Sequence, residues 1–490
     1  MILSSRFRFL GLFSLFFFSQ ANATAIPTDW QVEARDVVPS TSAVLDGVTY
    51  INKGIVGFGL IPSNFKESTG DTIGGFGSAI ALKRGSFKAS GDKFTGTILA
   101  RPDRGFNVDG TTDYQARQHE IDFILTPYTG SANLSFQDAQ QTLQVTYRNT
   151  VLSYERLHKK TSGLDPTSVR AAQPLSNFIP FLDPEMPIIS KADNRLVLDV
   201  EGLVANKDGT FFKLSNPVDA LLPRDASGAL NFTSAANPAT GRSPNQGFES
   251  LTFDEKTQTL YAMLQSATIQ DGGSSKSTSR FTRLFAYNVG NAIVKPRLVG
   301  EWVVPLPQSS KGNTLGCSEI HFVSPGVFLA LSRDGDGRGG GDDKSNYKQA
   351  DLFSIAGATD IHGSKFDNPA NPIAVGGVLD SSIKAATYVP FVNYLDPVQL
   401  ARFGIHNGKP NDQTLIDSKW ESLALAPVND PAFPDDYFLF TVSDNDFIST
   451  QGIADGVPFN GGLDVDNQFL VFRLTLPSVV KGSVERSIGI

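Results

Sequence analysis

Short glutamate-led apolar segments recur along the chain, and each has the residue types of a β-strand. They are Glu201-Gly202-Leu203-Val204, Glu249-Ser250-Leu251-Thr252, Glu319-Ile320-His321-Phe322 and Glu421-Ser422-Leu423-Ala424. A fifth segment, Gly75 to Ile80, has the frame of Gly247 to Leu251 but carries Gly77 in place of the glutamate. Strand units repeated at intervals of tens of residues are typical of radial β-architectures, in which each unit forms one blade.

A second apolar strand follows within these units and ends in a polar cluster. The clusters are Arg101-Pro102-Asp103-Arg104, Ser332-Arg333-Asp334 and Ser443-Asp444-Asn445-Asp446. A sustained helical period is absent, and we expect helix only locally, for example at Ser135–Gln141 or Val398–Phe403. We expect an exposed loop at Asp271–Ser279. The sequence therefore predicts an all-β fold, a single β-propeller of six or seven blades, with the polar strand ends gathered around its axis.

The first residues resemble an export signal. Arg6 and Arg8 form a basic region, Phe9–Phe18 is apolar, and Ala21-Asn22-Ala23 is a cleavage motif. We expect a signal peptide over residues 1–23 and one propeller domain over residues 24–490, the alternative being an uncleaved anchor. The predicted location is extracellular, without membrane contact after cleavage, and the sequons at Asn133 and Asn231 predict a glycoprotein.

Composition argues against nucleic acid as a partner and excludes stabilisation by an intrachain disulfide. The net charge of −8 argues against nucleic acid, which requires a basic face. Cys317 is the only cysteine, so no intrachain disulfide can form, and we interpret it as a buried structural thiol rather than a nucleophile. We expect a monomer that acts on a small ligand.

Carboxylates and arginines carry the chemistry that the sequence offers. The motifs of serine hydrolases, zinc proteases and phosphate-binding loops are absent. Acidic doublets recur at Asp334 and Asp336, Asp342 and Asp343, Asp444 and Asp446, and Asp464 and Asp466. Oxygen ligands of this kind suit Ca²⁺, although such pairs also serve simply to accept hydrogen bonds within turns. The repeated glutamates have a corresponding structural alternative, as salt-bridge partners or backbone caps.

Several segments in combination resemble the phytase-like domain family, which is described as having phytase-type esterase activity. They are Ala100 to Asn107, Asn245 to Leu251, Leu260 to Ser266, Ser318 to Phe322, Leu331 to Asp334 and Phe440 to Asp446. The likeness extends from about Gly54 to Leu476. It implies a β-propeller, export from the cell and hydrolysis of phosphoesters, and by a longer analogy with the calcium-requiring propeller phytases it implies a metal.

One stretch departs from the family pattern. After Phe211 and Phe212 the family continues through an aromatic strand into an acidic cluster, whereas this chain passes through Lys213 to Pro217 and rejoins the pattern at Asp219. A stretch of about one hairpin is missing. We therefore expect an incomplete blade with irregular backbone over Phe211 to Asn231.

These observations predict a secreted phytase-like hydrolase that acts on a small anionic or phosphorylated substrate by metal-assisted attack of water. We expect Arg101, Arg104 and Arg333 to bind the substrate anion, because guanidinium groups match phosphate in a bidentate manner. The expected catalytic residues are Glu249, Glu319, Glu421 and Asp334, and the expected metal ligands, for calcium, are Asp103, Glu201, Asp444 and Asp446. The alternatives are a non-catalytic secreted propeller that binds a glycan, a protein or a metal, and a calcium-dependent lactonase or carboxyl-esterase.

Overall fold

Antiparallel β-strands make up most of the chain. The computed structural model describes residues 40–104, 113–155, 158–176, 179–183, 185–199, 202–204, 218–290 and 296–490. The first strands are β1 (Thr41–Leu45), β2 (Val48–Ile61), β3 (Ala79–Leu82), β4 (Lys88–Ser90), β5 (Lys93–Arg101), β6 (Arg117–Leu125) and β7 (Leu143–Leu152), with helix α1 (Phe136–Ala139) before β7. Shorter strands follow at β8 (Tyr154–Glu155), β9 (Lys159–Lys160), β10 (Ser168–Arg170), β11 (Gln173–Ser176), β12 (Ile179–Asp183) and β13 (Met186–Ile188).

The second half of the chain returns to longer strands. They are β14 (Phe248–Asp254), β15 (Thr259–Leu264), β16 (Phe281–Asn288), β17 (Arg297–Pro305), β18 (Gly316–Ser324), β19 (Val327–Arg333), β20 (Lys348–Ser354), β21 (Ala374–Val375), β22 (Val378–Leu379) and β23 (Thr387–Asn393). The last elements are α2 (Pro397–Arg402), β24 (Lys419–Trp420), β25 (Ala424–Pro427), β26 (Asp436–Asp444), β27 (Gly452–Ala454), β28 (Val457–Phe459), β29 (Asn467–Thr475) and α3 (Ser483–Ile488).

Strands that are close in sequence pair into antiparallel sheets, as the blades of a propeller do. The large sheets have the orders β3-β5-β6-β7, β14-β15-β16-β17, β18-β19-β20-β23 and β1-β2-β29-β26, the last extended by β24 and β25. Because β2 pairs with β29, one sheet joins the beginning of the described chain to its end and closes the ring. The predicted all-β propeller fold is confirmed. The described residues include four such sheets and five two-stranded pairs, so the number of six or seven blades stays a prediction.

The first strands of neighbouring sheets lie side by side. The Leu251 amide of β14 donates to Glu319 Oε1 of β18 at 3.0 Å, and the Phe322 amide of β18 donates to Thr252 Oγ1 at 2.8 Å. Aromatic pairs fill the space between sheets, for example Phe94 with Phe438, whose ring centroids are 4.7 Å apart. These contacts place the glutamate-led segments of β14 and β18 next to each other.

Several local expectations can be compared with the structure. Helix α1 lies within the predicted segment Ser135–Gln141, whereas α2 begins at Pro397, one residue before the predicted segment Val398–Phe403, and ends within it. Cys317 is fully buried, as predicted, and burial raises the pKa of its thiol to about 12. The interpretation of Asp271–Ser279 as an exposed loop is wrong at its start, because Asp271 is completely buried in an ion pair with Arg283.

The segment predicted as an incomplete blade is described only in part. Residues 211–217 lie outside the described residues. From Val218 onward the structure has a single 3-10 turn at Asp219–Leu221 and isolated bridges from Arg224 to Leu230 and Thr240, with no named strand before β14. The backbone there is irregular, and the loss of a hairpin stays a prediction. No helix in the described parts of the chain is long and apolar enough to cross a membrane.

Candidate active site

Three carboxylates from distant parts of the chain meet. Asp103 follows β5, Asp444 is the last residue of β26, and Asp446 lies in the turn beyond it. Each offers one oxygen atom, and these atoms all lie within 4.8 Å of one another. Asp103 and Asp444 are only 6% and 1% exposed. These three residues, called the aspartate cluster below, are three of the four predicted metal ligands, and the fourth, Glu201, lies outside the described residues.

Gly77 explains how the two ends of the chain approach so closely. The 3-10 turn Phe76–Ser78 lies against the end of β26, and a β-carbon on Gly77 would be 2.1 Å from the Ser443 carbonyl oxygen. With no side chain in the way, Ser78 Oγ can accept from the Asp103 amide at 3.3 Å. The Gly75 amide donates to Asn445 Oδ1 at 2.9 Å. The glycine that replaces glutamate in this unit therefore makes room for the aspartate cluster.

The aspartate cluster is electrostatically strained when all its members are ionised. Burial, together with the Asp444 and Asp446 carboxylates, raises the pKa of Asp103 well above its usual value. Burial, Glu421 and Asp446 raise the pKa of Asp444 to about 8, although Lys419 opposes the shift. Buried like charges disfavour ionisation, and a bound cation reverses that effect.

Lys419 is a member of this site that the sequence reasoning missed. Its Nζ lies 2.8 Å from Asp446 Oδ1 and 3.5 Å from Asp444 Oδ2. Burial opposes the charge, but Asp446, Glu421 and Asp444 outweigh it, and the pKa of Lys419 is raised well above its usual value. The sequence did contain a signal for Lys419. Side chains two residues apart in an extended strand lie on the same face, and Lys419 is two residues before the predicted site residue Glu421. The ammonium group supplies one positive charge to the cluster.

Arg333 and Glu421 form a buried ion pair beside the cluster. An Arg333 Nη donates to Glu421 Oε1, and the two side chains are 12% and 5% exposed. Burial would raise the pKa of Glu421, but Arg333 and Lys419 lower it, so this glutamate is ionised. Among the described residues Arg333 Nε has no hydrogen-bond partner. The pair adds an anion and a guanidinium group to the same region, since Arg333 also interacts electrostatically with Asp444.

Glu319 acts in part as a backbone cap. Its Oε1 accepts from the amides of Leu251 at 3.0 Å and Ile320 at 2.8 Å. Burial, assisted by the neighbouring Glu249 carboxylate, raises the pKa of Glu319 well above its usual value. Glu249 is also buried, and its charge interacts with that of Arg333. The two glutamates are therefore neighbours, and burial favours the protonated form of Glu319.

The other two predicted substrate-binding arginines have carboxylate or amide partners. Arg104 is 4% exposed and forms salt bridges to Asp165 and Asp199, both at 3.0 Å. Arg101 Nε donates to Gln118 Oε1 at 3.4 Å. Burial lowers the pKa of Arg101. A phosphate that bound Arg104 would compete with two carboxylates already in contact with it.

Asp334 organises a loop. Its oxygens accept from Ser345 Oγ and the Asn346 amide, both at 2.6 Å, and from the Tyr347 amide at 3.1 Å. Lys348 Nζ lies 3.3 Å from Asp334 Oδ1 and also donates to the carbonyl oxygens of Asp336 and Ser418. This buried ammonium group occupies a position surrounded by oxygens. Asp334 therefore accepts hydrogen bonds within its own turn, which is the structural alternative given for the acidic doublets. Within the described residues, no hydrogen bond or ion pair of its carboxylate reaches the aspartate cluster.

Comparisons with known proteins agree with the fold and with the resemblance in sequence. A family model described as Phytase-like, with esterase-like activity of phytase, matches residues 73–447. An uncharacterized secreted protein of Arthroderma benhamiae is 34% identical over 468 residues, which cover 83% of this chain and 89% of that protein.

Solved structures give weaker likenesses. A glycosyl hydrolase from Bacteroides ovatus aligns at 9% identity over 85% of this chain and 93% of its own, with a TM-score of 0.29. Saccharomyces cerevisiae Sqt1 aligns at 9% identity over 78% of this chain and 68% of its own, with a TM-score of 0.19. TM-scores this low establish no common fold. The family model and the Arthroderma benhamiae relative do establish the family, and this chain belongs to the phytase-like family.

Proposed function

We propose that this protein is a secreted hydrolase that cleaves phosphoesters with a divalent cation held by Asp103, Asp444 and Asp446. The observation that carries the proposal is the approach of three carboxylate oxygens to within 4.8 Å of one another. Hard oxygen donors that repel one another when ionised fit a hard cation such as Ca²⁺. Export is supported by the signal-like first residues and by a relative described as secreted.

The residues around the cluster fit hydrolysis of a small phosphorylated substrate. When bound, a divalent cation would supply Lewis acidity and a more acidic bound water. Arg333 contributes a guanidinium group that suits phosphate oxygens, with Arg101 as the second candidate. In the reaction, oxygen of water forms a bond to phosphorus while the bond from phosphorus to the alcohol oxygen breaks. The proton lost by water passes to a carboxylate, for which Glu421 and Glu249 are the candidates. The leaving alkoxide takes up a proton, for which Glu319 is the candidate donor because burial raises the pKa of its carboxyl group.

The test is an assay of the purified chain against phytate and a chromogenic phosphomonoester, with added Ca²⁺ and with a chelator. We expect Ca²⁺-dependent release of phosphate that Asp444→Asn reduces by about 10²-fold or more, the scale on which catalytic electrostatic groups act. Asp92→Asn, which changes an exposed aspartate on the β4–β5 turn, is the matched control. A folded protein without phosphatase activity in any condition, or an Asp444→Asn variant as active as Asp92→Asn, would contradict the proposal.

A second candidate is a secreted propeller without catalytic activity that binds a glycan, a protein or a metal. Lys419 favours it, because an ammonium group 2.8 Å from Asp446 already balances part of the negative charge of the cluster. Calcium binding measured calorimetrically without phosphate release from any ester would support this candidate. Hydrolysis of a lactone or a carboxyl ester in place of phosphoesters would instead favour the calcium-dependent lactonase or carboxyl-esterase, which would use the same carboxylates.

A further inference from the structure

The turn that carries two members of the aspartate cluster has an unfavourable backbone conformation. Asp446 and Phe447, which follow the end of β26 at Asp444, have φ angles of +52° and +57°. This left-handed region is disfavoured for residues that have a β-carbon, and such strain persists only where surrounding contacts offset it. A turn that relaxed would carry the Asp446 carboxylate away from the rest of the cluster.

The ring of Phe447 makes a contact that can offset this strain. The ring is buried and packs edge-on against the ring of Tyr114, with the two centroids 4.5 Å apart. Two glycines leave room for it, because a β-carbon on Gly74 would lie 2.6 Å from Cδ1 of the ring and one on Gly75 would lie 2.5 Å from Cε2. The ring therefore fits only because residues 74 and 75 have no side chains.

The same contact extends to the third carboxylate of the cluster. A β-carbon on Gly75 would lie 3.1 Å from Asp103 Oδ1, so the Phe447 ring and the Asp103 carboxylate both border this glycine. The Gly75 amide donates to Asn445 Oδ1 at 2.9 Å, and the Phe447 amide donates to the same oxygen at 3.1 Å. Asn445 Nδ2 in turn donates to the Val465 carbonyl at 2.9 Å. The ring thus fixes the turn after β26 against the segment that borders Asp103.

The charges of the aspartate cluster favour its separation when all three carboxylates are ionised and no cation is bound. Lys419 pairs with Asp444 and Asp446, but it supplies one positive charge against as many as three negative ones. Burial of an aromatic ring, by contrast, stabilises the folded chain whatever the charge of the neighbouring carboxylates. The Phe447 ring can therefore hold the cluster together before a cation binds.

We propose that Phe447 is a positioning residue that preorganises the cation site, an inference that rests on the cation binding proposed above. The ring acts through the backbone of Asp446 and through Gly75, and it supplies no ligand atom. Ligands that are assembled in advance reduce the free-energy cost of ordering them when the ion binds. Loss of the ring should therefore weaken cation affinity although every carboxylate of the cluster is still present.

The calcium affinity of the full chain, stripped of metal with a chelator and then freed of the chelator, is measured by titration calorimetry. We expect Phe447→Ala to weaken Ca²⁺ binding about tenfold or more, and Phe447→Leu, which keeps an apolar side chain, to recover part of that loss. Phe447→Gly relieves the backbone strain but also removes the ring, and it should bind as weakly as Phe447→Ala. The matched control is Phe366→Ala, because Phe366 is a buried aromatic residue of a different hydrophobic cluster.

Hydrogen exchange in the presence of a chelator examines the same turn without a metal. The Gly75 and Phe447 amides donate to Asn445 Oδ1, and the Asp446 amide donates to Asp444 Oδ1. These amides should exchange slowly in the unaltered protein and in Phe366→Ala, and about tenfold faster in Phe447→Ala. Added Ca²⁺ should restore their protection in Phe447→Ala, because the ion then holds the carboxylates together.

Equal calcium affinities of Phe447→Ala and Phe366→Ala would overturn the positioning role, as would equal protection of the turn in these two variants. Full calcium affinity in Phe447→Gly would also overturn it, because the backbone conformation alone would then suffice. These three results leave the proposed hydrolase intact. Failure of the folded, unaltered protein to bind Ca²⁺ would instead overturn the cation site of that proposal and this inference with it. If Phe447→Ala does not fold, Phe447→Leu is compared with Phe366→Leu, and weaker calcium binding is again expected only in the former.

Discussion

Gly77 lies directly against the main chain of Ser443, and a β-carbon on Gly77 would stand 2.1 Å from the Ser443 carbonyl oxygen. This contact joins the turn before β3 to the end of β26, and so brings Asp103 and Asp444 together. We expect Gly77→Ala to lower the free energy of unfolding by about 1–3 kcal/mol, the usual cost of overpacking. Urea unfolding measures this loss of stability. Gly335→Ala is the control, because a β-carbon added at Gly335 would meet no other atom within 4 Å. Equal stability of the two variants would show that the contact is not needed.

Lys419 should stabilise the aspartate cluster in place of a metal. Lys419→Met leaves Asp103, Asp444 and Asp446 without this cation, and we expect a loss of about 3–5 kcal/mol, as for other broken buried ion pairs. Added Ca²⁺ should restore more of the melting temperature in Lys419→Met than it adds to the unaltered protein. The comparison variant is Lys83→Met. The ion pair that Lys83 forms with Glu120 is half-exposed and contributes at most about 1 kcal/mol. If added Ca²⁺ does not restore the stability that Lys419→Met loses, the result would argue against a metal at the cluster.

The buried Asp351 should make the protein more stable at mildly acidic pH. Burial raises the pKa of Asp351 from 3.8 to about 6, so the folded protein keeps a proton that the unfolded chain has lost. The stabilising contribution is complete below pH 3.8 and is lost as pH rises through 6, with a total of roughly 3 kcal/mol. Asp351→Asn should therefore reduce the difference in unfolding free energy between pH 5 and pH 8, whereas the exposed Asp92→Asn should not. An undiminished difference in Asp351→Asn would assign the pH dependence to other groups.

Arg283 should be important for the stability of the sheet formed by β14 to β17. Its guanidinium group is completely buried, and it contacts Asp271 and Glu301, each at 2.8 Å. Arg283→Met leaves two buried carboxylates without their partner, and we expect a loss of about 3–5 kcal/mol in urea unfolding. Arg148→Met is the control, because Arg148 is 55% exposed and forms only long ion pairs. Similar losses in the two variants would show that burial does not strengthen this ion pair.

The sequence by itself determined the all-β propeller and the family. Strand type depends on residue preference and on repetition, both of which are local, and the units that begin at Glu249 and Glu319 became β14 and β18 at adjacent positions. The polar ends of the second strands were also correctly located, because Arg333 and Asp444 are the last residues of β19 and β26. Family membership follows from the same segments.

Only the tertiary structure decided which charged groups meet. Closure of the ring through β2 and β29 brings Asp103 to Asp444 across most of the chain length, and no local pattern encodes that distance. The same closure selects Lys419 as the cation of the cluster and gives Arg104 two carboxylate partners. Asp334 has the same flanking pattern as Asp444, yet it caps its own loop because the neighbouring amides of Asn346 and Tyr347 reach its oxygens. Charge pairing and burial depend on contacts between distant segments, and these exist only once the sheets have packed around the axis.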